Sequence, residues 1–301
     1  MARIRILNII TRLEQGGAPM VLMETIRRMP RSCFSMDLAV GQTDDPDLDL
    51  TKSYQDEGFS LISVASLRRN IHPGRDFIAF LHLIRIIQAG RYDLVHTHTS
   101  KAGLIGRLAA RACGVPAVVH SPHGTILEGY FSPFVTQFFT ILERLSAILT
   151  SRIVCLTKME INQYLAEKIG KRNQYTFIYN GIDITDFANT DNASEVTREK
   201  LGIPPESTVC ITVGRLVPVK GHRDLIQAFK NALSTVRNLQ LLIVGEGILR
   251  EELEVLARSL EIRDQIHFLG WRTDVAALLH LSDLFVLASH NEGLGMVLVE
   301  A

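Results

Sequence analysis

No stretch of about 18 uninterrupted apolar residues occurs in the chain, so the sequence offers no membrane-spanning helix. Neither charge sign is in excess: 32 lysines and arginines face 32 aspartates and glutamates. Proteins that track a nucleic-acid backbone carry a basic surplus, and that class is set aside. Cysteine is scarce. Cys33, Cys113, Cys155 and Cys210 are far apart and form no CxxC pair, which argues against a disulfide framework. Cys113 and Cys155 sit in apolar runs and are expected to be reduced core thiols. No secretory signal is expected, because Arg3 and Arg5 interrupt a first apolar stretch already too short for one. The GxxxxGK[ST] pattern of a Walker phosphate loop is missing as well. These absences lead to the expectation of a cytoplasmic protein, free or attached peripherally at the inner membrane face.

What is present is apolar enough for packed cores, with 47% hydrophobic against 21% charged residues, and 301 residues suit two domains rather than one. Short β-branched runs alternate with longer helical patterns, the order expected of βαβ units and a parallel sheet. Strands are expected at Ile4–Ile10, Ser35–Val40, Leu61–Val64, Leu94–Thr97, Ala117–His120, Ile153–Leu156 and Thr176–Tyr179. Helices are expected after the Gly16-Gly17 turn to about Met29, over Phe77–Ile87 and Gly103–Ala112, and from Pro133 to about Thr150. Ser132 suits the N-cap of the last, and Pro133 its first helical position. A second alternation follows, with strands at Thr208–Val213, Leu239–Val244, Ile266–Phe268 and Leu284–Leu287. Its helices are expected at Gly221–Thr235, Leu249–Leu260 and Asp274–Leu281, with another starting near Glu300. The polar stretch holding Asn189, Thr190, Asp191 and Asn192 reads as the connection between domains 1–186 and 187–301. The expected class is α/β: two Rossmann-like, doubly wound parallel-sheet domains facing a cleft, with ligands at the carboxyl ends of the strands.

Four loops carry candidate chemistry. Glu292 and Glu300 lie eight residues apart, the first in a loop after a strand and the second on the following helix. Gly293 and Gly295 between them let the backbone approach a ligand. A carboxylate at a strand end can accept hydrogen bonds from sugar hydroxyls; the plainer reading is a solvent-facing loop glutamate and a helix-capping one. Arg215 and Lys220, within Gly214–Gly221, converge where a helix N-terminus already favours an anion. That composition suits a diphosphate, and a solvated basic loop is its alternative. Gly16 and Gly17 form a strand-to-helix turn whose backbone N–H groups could face a phosphate or sugar, although tight turns use glycine anyway. Gly245-Glu246-Gly247 is a comparable turn in the second half. His96, His98, His120 and His123 cluster at two strand ends, but no acidic or cysteine partner accompanies them. They read as hydrogen-bonding groups rather than a zinc site.

With these residues in hand, the chain resembles the retaining glycosyltransferases of family 4 (group 1), which have the GT-B fold. The resemblance rests on Gly16-Gly17-Ala18, the stretch Asp93–Gly103, His120-Ser-Pro-His123-Gly124 and Tyr179-Asn-Gly-Ile-Asp183. It continues through Gly214-Arg215 with Lys220-Gly221, Val244–Gly247 and the Glu292–Glu300 pair. It implies transfer of a sugar from a nucleoside-diphosphate sugar to an acceptor hydroxyl with retained configuration, without a metal or other cofactor. By position, Arg215 and Lys220 would neutralise the diphosphate, Glu292 would bind donor-sugar hydroxyls and Glu300 the ribose. His123 would face the donor sugar, with His120 the competing choice, and Gly17 would offer its backbone N–H. Gly16, Gly245 and Glu246 would complete the donor-binding set.

The chain departs from the family at two places. Pro19-Met20 stand where the family often has a glutamate, leaving the first turn of that helix open. Family members also continue past the position of Ala301, so the second domain is expected to be C-terminally truncated, with its core incomplete. A non-catalytic remnant or interaction module, or a nucleotide-sugar epimerase of the same fold, are the alternatives. The expected partners are a nucleoside-diphosphate sugar, a glycan or lipid-linked acceptor, and an anionic membrane surface. The last is suggested by Arg27, Arg28, Arg31, Arg68, Arg69 and Arg75.

Overall fold

A computed structural model describes residues 3–14, 16–43, 49–124, 132–182, 187, 196–292 and 294–301. The chain divides into two compact units, Met1–Gly181 and Ile182–Ala301. The expected connection at Asn189–Asn192 lies outside the described residues, as do Gln15, Asp183 and Gly293.

The first unit is a seven-stranded parallel sheet in the order β3-β2-β1-β4-β5-β6-β7. Its strands are β1 (Ile4–Ile10), β2 (Phe34–Val40), β3 (Leu61–Ser63), β4 (Leu94–His98), β5 (Ala117–Ser121), β6 (Arg152–Cys155) and β7 (Tyr175–Phe177). The connecting helices are α1 (Gly17–Arg28), α2 (Thr51–Asp56), α3 (Pro73–Gly90), α4 (Ser100–Ala112), α5 (Pro133–Ile148) and α6 (Lys158–Ala166). Both faces of the sheet are covered, and the buried positions of β1 and β2 are apolar save Asn8. Leu7 and Ile9 face one core with Leu83, Val95 and Ile105, while Ile10 and Val40 face the other with Leu22 and Met23.

The helices follow local chemistry. Pro19 does not interrupt α1, because a proline in the first turn lacks only an N–H that has no partner within the helix. Helix α3 begins at Pro73, earlier than the apolar period alone suggests, because the ring Nδ1 of His72 accepts from the Arg75 N–H at 3.3 Å. Helix α4 uses small residues to lie close on the sheet: a Cβ at Gly106 would come within 2.7 Å of the Thr97 methyl. Two helices, α2 and α6, were not expected from the apolar pattern. The first is short with no buried residue, and the second buries only Glu160 and Tyr164.

Helix α5 is inverted in polarity. Thr140, Glu143, Ser146 and Ala147 are buried, whereas Phe134, Phe138, Ile141, Leu145 and Ile148 form an exposed apolar stripe at spacings of four and three. Beneath it Arg107, with no exposed side-chain surface, donates from one terminal nitrogen to both Glu143 carboxylate oxygens at 2.9 Å. Its Nε donates to the Gly103 carbonyl at 2.8 Å.

The second unit is a four-stranded parallel sheet in the order β10-β9-β8-β11. It contains β8 (Thr208–Val213), β9 (Leu239–Val244), β10 (Ile266–Gly270) and β11 (Leu284–Phe285). Its helices are α7 (His222–Ala232), α8 (Arg250–Ser259), α9 (Val275–Leu281) and α10 (Met296–Glu300). Strand β11 is shorter than the apolar run Leu284–Leu287, because only Leu284 and Phe285 pair in register with Cys210 and Ile211. Among the described residues no helix is long and apolar enough to cross a membrane.

A buried ion pair costs most when one partner is removed, because the other is left charged and unpaired. Arg107→Leu is expected to destabilise the chain by about 3–5 kcal/mol in urea unfolding, and the double change Arg107→Leu with Glu143→Leu to recover most of it. Equal losses in the single and double variants would show that packing, not the stranded charge, sets the cost.

Candidate active site

In an open parallel sheet, ligands gather at the carboxyl ends where the strand order reverses. In the first unit that point lies between β1 and β4, and in the second between β8 and β11. Most of the candidate residues sit at or beside one of these points.

In the first unit, His96 and His98 alternate along β4 and so share a face, which in register they share with Asn8 and Ile10 of β1. The His98 Nε2 donates to the Asn8 side-chain oxygen at 3.2 Å. Its Nδ1 is therefore an acceptor and takes the Nε2–H of His123 at 2.9 Å. The His123 Nδ1 then carries a lone pair, buried and without a hydrogen-bond partner among the described residues. His96 stacks beside His98 at 4.1 Å between ring centroids and meets the Ser121 hydroxyl at 2.8 Å. Burial, reinforced by the neighbouring His123, lowers the His96 pKa to about 3, and burial lowers that of His123 to about 4. Burial and the surrounding imidazoles hold His98 well below its usual value. The cluster is thus a chain of neutral rings. Among the described residues no group of three or more His, Cys, Asp or Glu is arranged to hold a metal.

The two histidines of the β5 end separate. His120 pairs in register with Thr97 and faces α4, where its Nδ1 meets the Thr97 hydroxyl at 2.9 Å. Its ring packs so closely on Gly103 that any side chain there would collide with it. His123 lies beyond the strand, at a left-handed φ of 59°, and joins the His96–His98 face. A residue the sequence reading missed holds this turn. Glu160, buried on α6, accepts from the Leu156 N–H at 2.7 Å, and the N–H groups of Gly124 and Thr157 also favour its charged form. Burial dominates nonetheless and raises its carboxyl pKa. Thr157 caps α6 by accepting from the Glu160 N–H at 3.1 Å, so the Thr157-x-x-Glu160 spacing was the available signal. Gly16 and Gly17 open α1 at the β1 end, where first-turn N–H groups have no intrahelical partner.

In the second unit, the segment after β8 runs through Gly214 and Arg215 into a 3-10 turn, Pro218–Lys220, and then α7. Gly221 has a left-handed φ of 65°, and a Cβ there would collide with the Ala288 carbonyl of the segment after β11. The His290 N–H donates to the Val219 carbonyl at 2.9 Å, tying the same two segments again. This closeness brings Lys220 against Glu292, 72 positions on, as an ion pair that sequence spacing does not reveal. Arg215 is exposed and makes no ion pair among the described residues. His222, the first residue of α7, is buried, and desolvation plus the adjacent Lys220 lower its pKa to about 4.

The remaining candidates divide. Gly245, at φ 134°, lets the β9 end pass against the Gly214 carbonyl, where a Cβ would collide. The Glu246 side chain turns to Arg250, 3.1 Å away, and lies over Gly270. Glu300 ends α10, and partial burial raises its carboxyl pKa.

Two family models match the chain in series. One, described as a glycosyl transferase 4-like domain, covers residues 16–181; the other, glycosyl transferases group 1, covers residues 193–301. The chain belongs to the family 4, group 1 glycosyltransferases. One relative in this family, the UDP-Gal:α-D-GlcNAc-diphosphoundecaprenol α-1,3-galactosyltransferase of Escherichia coli, is 31% identical over 95% of this chain and 73% of its own length. The glycosyltransferase EpsF of Bacillus subtilis, whose assignment is itself putative in name, is 27% identical over 99% of this chain and 76% of its own. Among solved structures, Anabaena HepE in complex with UDP and glucose superposes with a TM-score of 0.80 at 22% identity, covering 99% of this chain and 78% of that one. The expected GT-B glycosyltransferase fold therefore holds, with one Rossmann-like sheet in each unit.

The neutral histidines carry a pH signature. Their folded pKa values lie below the unfolded value near 6.5, so the unfolded state binds more protons as pH falls. Stability is full above about pH 6.5 and declines towards pH 4, by about 2 kcal/mol at pH 5 for each ring that stays neutral. Urea unfolding across this range is expected to show the decline, and His96→Gln to make it shallower by about one proton. An unchanged slope in His96→Gln would contradict the neutral assignment.

Proposed function

We propose that this glycosyltransferase moves a sugar from a nucleoside diphosphate to an acceptor hydroxyl with retention, in the synthesis of cell-surface polysaccharide or glycolipid. The observation that carries the reading is the meeting of Lys220 with Glu292 at the order reversal of the second sheet, with the exposed Arg215 on the same segment after β8. Cations at this point suit a diphosphate leaving group, and preorganised charge is the main means of stabilising it as the sugar–phosphate bond breaks. A uridine diphosphate sugar is the donor best supported, since the E. coli relative is named for UDP-Gal and the HepE structure holds UDP and glucose.

In this reading Glu292 accepts from donor-sugar hydroxyls and Glu300 from the ribose. Gly16 and Gly17 offer backbone N–H groups, and Gly245 and Glu246 border the nucleotide through their backbone. The neutral His123 presents its free Nδ1 lone pair to a sugar hydroxyl. The acceptor oxygen attacks the anomeric carbon on the face from which the diphosphate departs, and its proton passes to the leaving phosphate oxygen. No side chain is assigned as a nucleophile, and no metal is required because cations meet the diphosphate directly. Lys220→Ala is expected to lower transfer from a UDP-sugar by on the order of 10²-fold, and EDTA to leave the wild-type rate intact. Transfer within threefold of wild type, or a loss in EDTA restored by Mn²⁺, would count against these assignments.

The acceptor is proposed to be lipid-linked and met at a membrane surface. The arginines singled out in the sequence are weaker support than they look, because Arg27 and Arg28 already pair with Glu24, and Arg27 also with Glu57. The exposed apolar stripe of α5 supports the reading better, with Phe134 86% and Ile148 76% exposed. The E. coli relative is named for a diphosphoundecaprenol acceptor, which is a lipid. Co-sedimentation with anionic vesicles is expected, and Phe138→Glu with Leu145→Glu is expected to abolish it. Sedimentation unchanged in that variant would remove α5 from the contact.

A further inference from the structure

Lys220 and Glu292 are assigned different ligands, yet they hold each other. The pair is largely enclosed, with side-chain exposures of 20% and 26%. It is not an accident of two long side chains meeting in solvent. The backbone contact of Gly221 with Ala288 and the hydrogen bond from His290 to Val219 fix the two segments against each other. We propose that this ion pair makes the site favour a sugar-bearing nucleotide over the free nucleoside diphosphate. The proposal rests on the assignment of Lys220 to the diphosphate and Glu292 to the donor sugar.

A diphosphate and the Glu292 carboxylate compete for a single ammonium group. A free nucleoside diphosphate brings negative charge to Lys220 while Glu292 is still drawing on the same cation. Either Lys220 leaves Glu292, which stays partly enclosed without a partner, or it is shared and serves both anions poorly. A sugar-bearing donor removes the conflict. Its hydroxyls donate to the Glu292 carboxylate at the same moment that its phosphates take Lys220, so every charged group ends with a partner. Arg215, exposed and outside the pair, serves both nucleotides alike. After transfer the sugar leaves with the acceptor, Glu292 loses its hydroxyl donors, and Lys220 is drawn back from the product. The same contact that readies the site for donor therefore hastens release of the spent nucleotide.

Calorimetric titration of wild type and Glu292→Gln with UDP and with UDP-galactose decides this. The amide is close in shape to the carboxylate but carries no charge, so it frees Lys220 without opening a cavity. Glu292→Gln is expected to bind UDP about 3- to 10-fold more tightly than wild type, and UDP-galactose more weakly. Glu252→Gln, which removes a carboxylate paired with Arg223 on an exposed helix face, is expected to change neither. A matching thermal melt for Glu292→Gln verifies the fold. UDP affinity that is unchanged or weaker in Glu292→Gln overturns the proposal, while leaving the donor reading intact. Binding of a different nucleoside diphosphate, GDP or ADP, moves the same comparison to that nucleotide and its sugar. Failure of all three to bind the wild-type chain removes the donor reading and this inference with it.

Discussion

A parallel strand buried on both faces has almost no room for polar side chains along its length, so polar chemistry is displaced to its carboxyl end. Both sheets obey this constraint. Strand β9 is buried at every position, and the groups of interest begin only at Gly245. Strand β4 turns polar at His96 and is followed by Thr99, Ser100 and Lys101. The order reversals between β1 and β4 and between β8 and β11 then gather these ends into one place in each sheet.

The two gathered sites have opposite electrostatic characters. In the first unit, burial strips charge from the histidines, leaving a relay of neutral donors and acceptors anchored on Asn8. Such groups recognise hydroxyls without adding net charge. In the second unit charged groups remain, with Arg215 exposed and Lys220 paired with Glu292.

Much of the fold could be read in the sequence because β-branched runs and apolar periods are local signals. Strands Ile4–Ile10, Thr208–Val213 and Leu239–Val244 fall where the pattern places them. Helix α6 escaped because it buries a carboxylate and a tyrosine rather than an apolar stripe. Pairing register is not a local signal, and so spacing could not choose between His120 and His123. The match of Thr97 with His120 sends that ring to the opposite face from His96 and His98. Glu246 was singled out for its place in a glycine-flanked turn, but its side chain answers to Arg250 four residues on. The Lys220–Glu292 contact depends on two segments that only the sheet order brings together.

The contact of Gly221 with the Ala288 carbonyl bears on which parts of the second unit are able to move. With no room for even a methyl group between them, the two backbone segments have little freedom to slide past one another. Any rearrangement at this spot is thereby left to rotation of the Lys220 and Glu292 side chains rather than to sliding of the backbone.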